Sequence, residues 1–315
     1  MTELVNDTHI RVLVCDSVAQ ELLDGLKNEG YDVDYKPEIT KSELVENISD
    51  YQIIVVRSRT KVDSDVMDAA KNLKIIARAG IGIDNIDSES ANSKGVKIIT
   101  AAGSSTESVV ELNLVLAIDL ARRISALNRK IREGEYKKQK GKELSGSTCG
   151  VIGFGRIGYE TARVLSSLGA NIVAYDIVHN DELMKTIGGR YVELDDLLSS
   201  SDFIFTCVTL NGSSKSLMAK EQFSRVKEGA YIINTSRAEA MDGVALLEAL
   251  KAGRIGGYAA DVMWNEPPKE EWEKELINME NVIVTPHIGA QTREAQKRVA
   301  LATVENVVKA VRGEL

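Results

Sequence analysis

Three residues in the second half of the chain have the side chains that proton transfer beside an anion requires. His287 closes the apolar run Asn281–His287, after Thr285 and Pro286 and before Gly289. An imidazole at the end of a buried strand is aimed into the crevice that the strand faces. With a near-neutral pKa it can take the O–H proton that an alcohol sheds as it loses hydride. Glu266, in the Trp264–Pro268 segment, is its natural partner, because a carboxylate beside an imidazole favours the protonated form and fixes the tautomer. Arg237, closing the run Ala230–Arg237, can grip a carboxylate through its forked donors and polarise a neighbouring oxygen. Taken singly, each could be structural; the case for chemistry rests on complementary groups falling at neighbouring strand ends. The other two histidines have plainer settings, His9 in the N-terminal lead-in and His179 in the polar segment after Asp176.

Upstream lies a constellation suited to a phosphate. Thr148–Ile152 reads as a buried parallel strand, and Gly153, Gly155 and Gly158 follow with G-x-G-x-x-G spacing at the turn into a helix. Gly153 permits the tight turn, Gly155 lets the backbone approach a pyrophosphate, and Gly158 lets the helix lie close to the sheet. The helix N-terminus, with unpaired N–H groups and the positive dipole end, then favours an anion. Asp176 ends the next apolar run, 18 residues past Gly158, near the roughly 20 expected of a ribose-binding carboxylate. It would accept both ribose hydroxyls and repel a 2′-phosphate, and Ile177 and Val178 supply no offsetting cation. The pattern predicts NAD rather than NADP.

Positioning these groups requires a parallel sheet, and the chain alternates short apolar runs with amphipathic stretches throughout. Before the glycine turn, strands are predicted at 11–16, 53–56, 74–77 and 96–99, with helices near 18–29 and 63–72. After it, strands are predicted at 203–208, 230–236, 256–262 and 281–287, with a helix near 242–252. The first set has no glycine fingerprint, since Gly80 and Gly82 lead into Asp84 and Asn85 rather than a helix. It does place Arg57, Arg59 and Lys61 after one strand and Arg78 after the next, at the edge where open α/β sheets bind ligands. Arg57 and Arg78 are the preferred anion-binding candidates; a solvated rim of ordinary charges is the plain alternative.

A helix is predicted from Thr106, as its cap, to Arg123, apolar on more than one face, as a domain crossover or subunit interface. Asn128–Lys142 reads as an exposed basic arm around Tyr136. A last helix near 290–312 returns to the first domain. The expected architecture is α/β, two doubly wound parallel-sheet (Rossmann-like) domains with a cleft between them. Residues 1–103 with 288–315 form the substrate-binding domain and residues 104–287 the NAD-binding domain.

Composition narrows the function classes. A chain of 315 residues, 43% hydrophobic and 27% charged, is ordinary for two globular domains. The charged first thirty residues, Glu3 and Asp7 among them, argue against an apolar leader, and Asp119 interrupts the most apolar helix, so a cytoplasmic protein without a membrane span is expected. A net charge of −8 opposes nucleic acid and anionic membrane. Cys15, Cys149 and Cys207 lack metal-ligand spacing, so neither a disulfide nor a metal site is expected.

The segments GFGRIG, NTSR with a following Asp242, DVMWNEPP and TPHIG, in this order, resemble the D-isomer-specific 2-hydroxyacid dehydrogenase family. That resemblance implies catalytic Arg237, Glu266 and His287, a small anionic 2-hydroxy or 2-oxo acid as substrate, and a homodimer formed through the NAD-binding domain. It also implies that Ile81, Arg156, Ile157, Asp176, Val208, Thr235, Ser236, Asp261, Gly289 and Ala290 line NAD with the three glycines. VRSRTKV followed by RAGIGIDNID resembles the D-3-phosphoglycerate dehydrogenase branch, which implies that Arg57 and Arg78 bind substrate anions. The chain departs from the family pattern at Ala238, where glycine is usual, at Cys207–Leu210, and at Tyr136, where tryptophan is common. With the sequence stopping at Leu315, serine feedback through an appended regulatory domain is not expected. Two alternatives stand beside this reading: a reductase of glyoxylate or hydroxypyruvate, and an NAD-sensing binding protein resembling the C-terminal-binding corepressors.

Overall fold

A computed structural model describes residues 9–315; the charges at Glu3 and Asp7 lie outside the described residues. The chain divides into two compact units, residues up to 105 together with 291–315, and residues 106–290. Each is built on a parallel sheet.

The first unit has five strands, β1 (Arg11–Val14), β2 (Asp32–Tyr35), β3 (Ile53–Val56), β4 (Ile75–Arg78) and β5 (Lys97–Thr100), in the order β2-β1-β3-β4-β5. All pair in parallel. The order reverses between β1 and β3, the kind of switch point at which open sheets leave a crevice outside their carboxyl ends. Every residue of β3 is buried, as its unbroken apolar run requires of a central strand covered on both faces. Strand β2 was not predicted: its sequence DVDY carries no apolar run because it is an edge strand, with no buried residue. The short helices Lys41–Asn47 and Ser88–Ser93 were likewise not anticipated. The last helix, Arg293–Val311, is capped by the Thr292 hydroxyl accepting from Ala295 N. It sets Val299, Ala300, Val307 and Val311 into the core with Leu22, Leu23 and Leu26 of helix Gln20–Asn28.

The second unit has seven strands: β6 (Thr148–Ile152), β7 (Asn171–Tyr175), β8 (Arg190–Tyr191), β9 (Phe203–Thr206), β10 (Ala230–Asn234), β11 (Ile255–Ala260) and β12 (Val282–Val284). Their order is β12-β11-β10-β9-β6-β7-β8, all parallel, with the reversal between β6 and β9. This is the doubly wound order of dinucleotide-binding sheets with one strand added at the edge. Helix Thr106–Arg122 covers one face through Leu116, Ala117, Leu120 and Ala121, packed with Phe203 and Phe205.

Two expectations need correction here. Thr106 is the first residue of its helix rather than the cap before it. The basic arm is not loop throughout: Arg123 adopts a left-handed φ of 54°, which breaks the first helix, and a second helix, Ile124–Arg132, begins at once. Residues 133–141 are exposed and irregular, but Lys142 is anchored, its Nζ 2.6 Å from Asp202 Oδ1. Among the described residues, no helix is long and apolar enough to cross a membrane and no cluster of side chains could hold a metal ion.

Candidate active site

The glycine turn sits at the carboxyl end of β6, beside the order reversal. Gly153 has a φ of +89°, and a Cβ there would lie 2.7 Å from Cys207 O on the neighbouring strand's extension. A Cβ on Gly158 would stand 2.0 Å from Gly153 O, so only glycine lets helix Arg156–Ser167 start this close to the strand. Gly155 differs, since nothing lies within 4 Å of a Cβ built on it. That open side, in front of the first-turn N–H groups at Arg156, Ile157 and Gly158, is what a pyrophosphate would occupy. Asp176 follows β7, with Oδ2 accepting from Phe154 N at 2.5 Å and Oδ1 from Val178 N at 3.0 Å. One backbone donor on each oxygen orients the carboxylate and leaves each a lone pair for a ribose hydroxyl. The residues present fit a dinucleotide.

Arg237, Asp261 and His287 lie just past the carboxyl ends of the adjacent strands β10, β11 and β12. His287 Nδ1 is 3.0 Å from Glu266 Oε2, and Glu266 Oε1 accepts from Met263 N at 3.2 Å. Hydrogen bonding to Glu266 raises the His287 pKa, against the burial that lowers it, with the charges of Glu266 and Asp261 adding to the rise and that of Arg237 opposing it. For Glu266, burial pushes upward, but His287, the Met263 N–H and the Arg237 charge outweigh it and hold the carboxyl below its ordinary value. Arg237 therefore lies close enough to act on both members of the pair.

The turn carrying His287 is held from below. Asp261, 2% exposed, accepts from Thr285 Oγ1 at 2.5 Å, Ile288 N at 2.8 Å and Gly289 N at 2.6 Å, and Ser108 Oγ donates to Gly289 O at 2.6 Å. Residue 287 itself has a φ of 54°, a region few non-glycine residues enter. Ala290 is the last residue of this unit.

Two buried amides outside the predicted site residues shape the loops from beneath. Asn234, fully buried, donates to Arg237 O at 3.0 Å and accepts from Ser236 N and Oγ at 3.0 and 2.8 Å. Asn113 accepts from Thr235 Oγ1 at 2.8 Å and donates to Thr161 Oγ1 at 3.1 Å, tying the β10 loop to the helix that follows the glycine turn. An amide this deep costs about 1–3 kcal/mol when unpaired, so these bonds fix single conformations. The only hint in the sequence was an asparagine ending an apolar strand or interrupting an apolar helix. Val208, half-buried, follows β9.

In the first unit the basic cluster separates into two kinds of residue. Arg57 follows β3 at the order reversal; its backbone N–H donates to Asp16, and Nη1 donates to Ser17 O at 3.0 Å. Arg59 is occupied structurally, its Nε 3.1 Å from Asp16 Oδ1 and its other nitrogens donating to Cys15, Pro37 and Ile39 carbonyls. The four cations grouped in the sequence thus do not form one anion-binding set. Arg78 ends β4, with Nη1 donating to Ala79 O at 2.9 Å, and Ile81 lies exposed three residues further on. Asn85 was not anticipated: its Nδ2 donates to the carbonyls of Arg57 and Thr60 and holds the β3 loop from its other side.

Residues 114–289 match the family described as D-isomer specific 2-hydroxyacid dehydrogenase, NAD binding domain. The chain belongs to the D-isomer specific 2-hydroxyacid dehydrogenase family, and its cofactor is NAD. It is 40% identical, over 96% of its length, to a D-3-phosphoglycerate dehydrogenase of Archaeoglobus fulgidus, of which it spans only 58%. It is also 40% identical, over 95% of its length, to a hydroxypyruvate reductase of Thermotoga maritima, of which it spans 97%. The solved structure of D-lactate dehydrogenase from Aquifex aeolicus, complexed with NAD and lactic acid, matches with a TM-score of 0.85 at 27% identity, covering 96% of each chain.

Proposed function

We propose that the chain interconverts a D-2-hydroxy acid and its 2-oxo acid, and that its physiological reaction is the oxidation of D-3-phosphoglycerate to 3-phosphohydroxypyruvate, the first step of serine biosynthesis. The observation that carries the chemistry is the 3.0 Å contact of His287 Nδ1 with Glu266, within reach of the Arg237 charge. With Nδ1 engaged, Nε2 is the nitrogen left to take the C2 hydroxyl proton. Bound NAD supplies the hydride acceptor. Arg237 holds the substrate carboxylate and steadies the C2 oxygen as it becomes a carbonyl. Glu266 stabilises the imidazolium formed in oxidation. Because the His287 pKa is raised, oxidation, which needs neutral His287, gains with pH through a value above the ordinary 6.5, and reduction, which needs the imidazolium, declines over the same range.

In this reading the NAD-binding domain expected at 104–287 is the unit 106–290, which takes in Gly289 and Ala290, and the unit of residues up to 105 with 291–315 binds the substrate. Arg57 and Arg78, at the carboxyl ends of neighbouring strands, supply the second anion site, and the phosphoglycerate dehydrogenase relatives favour a phosphate there. Assembly as a homodimer through the NAD-binding unit is supported by Val115, Ile118, Ile124 and Ile131, apolar and exposed on consecutive helices. A cytoplasmic location belongs to the same proposal.

A second reading, reduction of hydroxypyruvate, is favoured by the Thermotoga relative, which the chain spans almost end to end. Loss of NADH absorbance with phosphohydroxypyruvate, hydroxypyruvate, glyoxylate or pyruvate separates the two. Preference for the phosphorylated acid, with that preference lost in Arg57→Ala or Arg78→Ala, supports the first reading. Preference for hydroxypyruvate, indifferent to both substitutions, replaces it with the second.

A further inference from the structure

Glu273, in helix Glu271–Ile277, is completely buried at 0% exposure, a place that glutamate rarely takes without strong partners. Its Oε1 accepts from Asn265 N at 2.8 Å, and Oε2 accepts from Asn265 Nδ2 at 3.0 Å, Lys269 N at 2.9 Å and Glu270 N at 3.0 Å. Burial pushes this carboxyl upward, yet the N–H groups of Glu270, Lys269 and Asn265 hold it below its ordinary value, so it is ionised at neutral pH. Capping its own helix needs only the Glu270 N–H. The other three donors lie upstream and reach the residue next to Glu266.

The same segment is tied from a second side. Trp264 Nε1 donates to Met241 O at 3.0 Å, in the turn that starts at Arg237, and its ring stands edge-on to Trp272 at 5.0 Å. A Cβ on Gly243 would meet Trp272 at 2.3 Å, so the indole packing tolerates no side chain there. Glu266 thus lies between Trp264 and Asn265 on one side, fastened to the Arg237 turn and to Glu273, and Lys269 on the other, also fastened to Glu273.

We propose that Glu273 is a positioning residue for the acid–base pair: by gathering the N–H groups of Asn265, Lys269 and Glu270 it fixes the loop on which Glu266 meets His287. The inference rests on the reading of His287 as the proton acceptor. An acceptor with full charge is needed because three backbone N–H groups and one amide converge on two oxygens. Without it those donors turn toward water, the loop relaxes, and Glu266 leaves hydrogen-bond range of the imidazole.

Glu273→Gln keeps the size and sets an NH2 group among donors. With three histidines in the chain, the imidazole of His287 can be titrated by NMR, and the kcat–pH profile of 2-oxo acid reduction and the NADH affinity are measured alongside it. The expected result is a His287 pKa moved down toward the ordinary value, with the reductive profile shifted to lower pH. The kcat at neutral pH falls on the order of tenfold, with NADH affinity unchanged. Adding Glu273→Gln to Glu266→Gln then moves the His287 titration no further than Glu266→Gln alone. A folded Glu273→Gln protein with the wild-type His287 titration overturns the proposal, as does a further shift in the double variant. If Glu273→Gln does not fold, Asn265→Ala removes one of the four donors and must give a smaller shift in the same direction; an unmoved titration decides against the proposal. Absence of turnover by the wild-type chain on every 2-oxo acid would instead count against the functional reading, because the titration needs no turnover.

Discussion

Asp16, past the end of β1, and Asp261, past the end of β11, are each 2% exposed, and each gathers the loop that follows the neighbouring strand. Asp16 takes Arg57 N, Thr60 N and Thr60 Oγ1 after β3; Asp261 takes Thr285 Oγ1, Ile288 N and Gly289 N after β12. The difference lies in charge. Asp16 also draws in the guanidinium of Arg59, so one cation of its cluster is committed to the loop's shape. Asp261 works with a hydroxyl and two backbone N–H groups, and its charge adds to the rise in the His287 pKa. One buried carboxylate therefore shapes a basic loop by neutralising part of it, whereas the other shapes a histidine loop and tunes it as well.

Removing each carboxylate tests that contrast. Asp261→Ala has the largest expected effect. It leaves two backbone N–H groups unpartnered and frees the turn under His287, so turnover should fall by about 100-fold or more, with about 3 kcal/mol lost from stability. Steady-state kinetics with denaturant unfolding measure both, and near-normal turnover would show that the turn holds itself. Asp16→Ala should lower stability by about 1–3 kcal/mol and raise KM for the acid, leaving NADH affinity as in the wild type. Weakened NADH binding would contradict the separation of roles. Within the basic cluster, Arg57→Ala should raise KM for a phosphorylated acid with little change in unfolding midpoint, and Arg59→Ala should do the reverse; equal behaviour would erase the distinction.

The smallest effect on turnover is expected at a third buried carboxylate, on the amino-terminal edge of the second sheet. Burial alone would push Asp202 upward, but Lys142, Lys227 and the Thr148 N–H outweigh it and bring its pKa down to about 2. A depressed carboxylate pKa stabilises above the unfolded value, and the contribution is lost as pH falls from near 4 through about 2. Asp202→Asn should therefore cost about 2 kcal/mol at neutral pH, flatten acid unfolding in that window, and leave kcat per folded molecule unchanged.

The parts of this molecule legible in its sequence are those whose requirements are local. The glycine turn is one, since Gly158 answers to Gly153 five residues away and Gly153 to the extension of the adjoining strand, while Gly155 faces open space. The central strands are another, because burial on both faces leaves an unbroken apolar run. Strand β2 was illegible for the opposite reason, as an edge strand can be written DVDY. The site's supports were hidden by distance: Asn113 meets Thr235 122 residues away, and Arg59 looks like Arg57 until Asp16, from another strand, claims it. Glu273 stands among the like acids Glu270, Glu271 and Glu275, and only the folded loop reveals four donors converging on it.

The left-handed backbone at His287 bears on mutagenesis at that position. Alanine there would delete the imidazole and also set a residue less tolerant of this φ than histidine, so a lost activity would mix two causes. Asparagine enters that conformation far more readily and has no group that titrates near neutrality. His287→Asn is therefore the exchange that removes the proton carrier while keeping the shape of the chain.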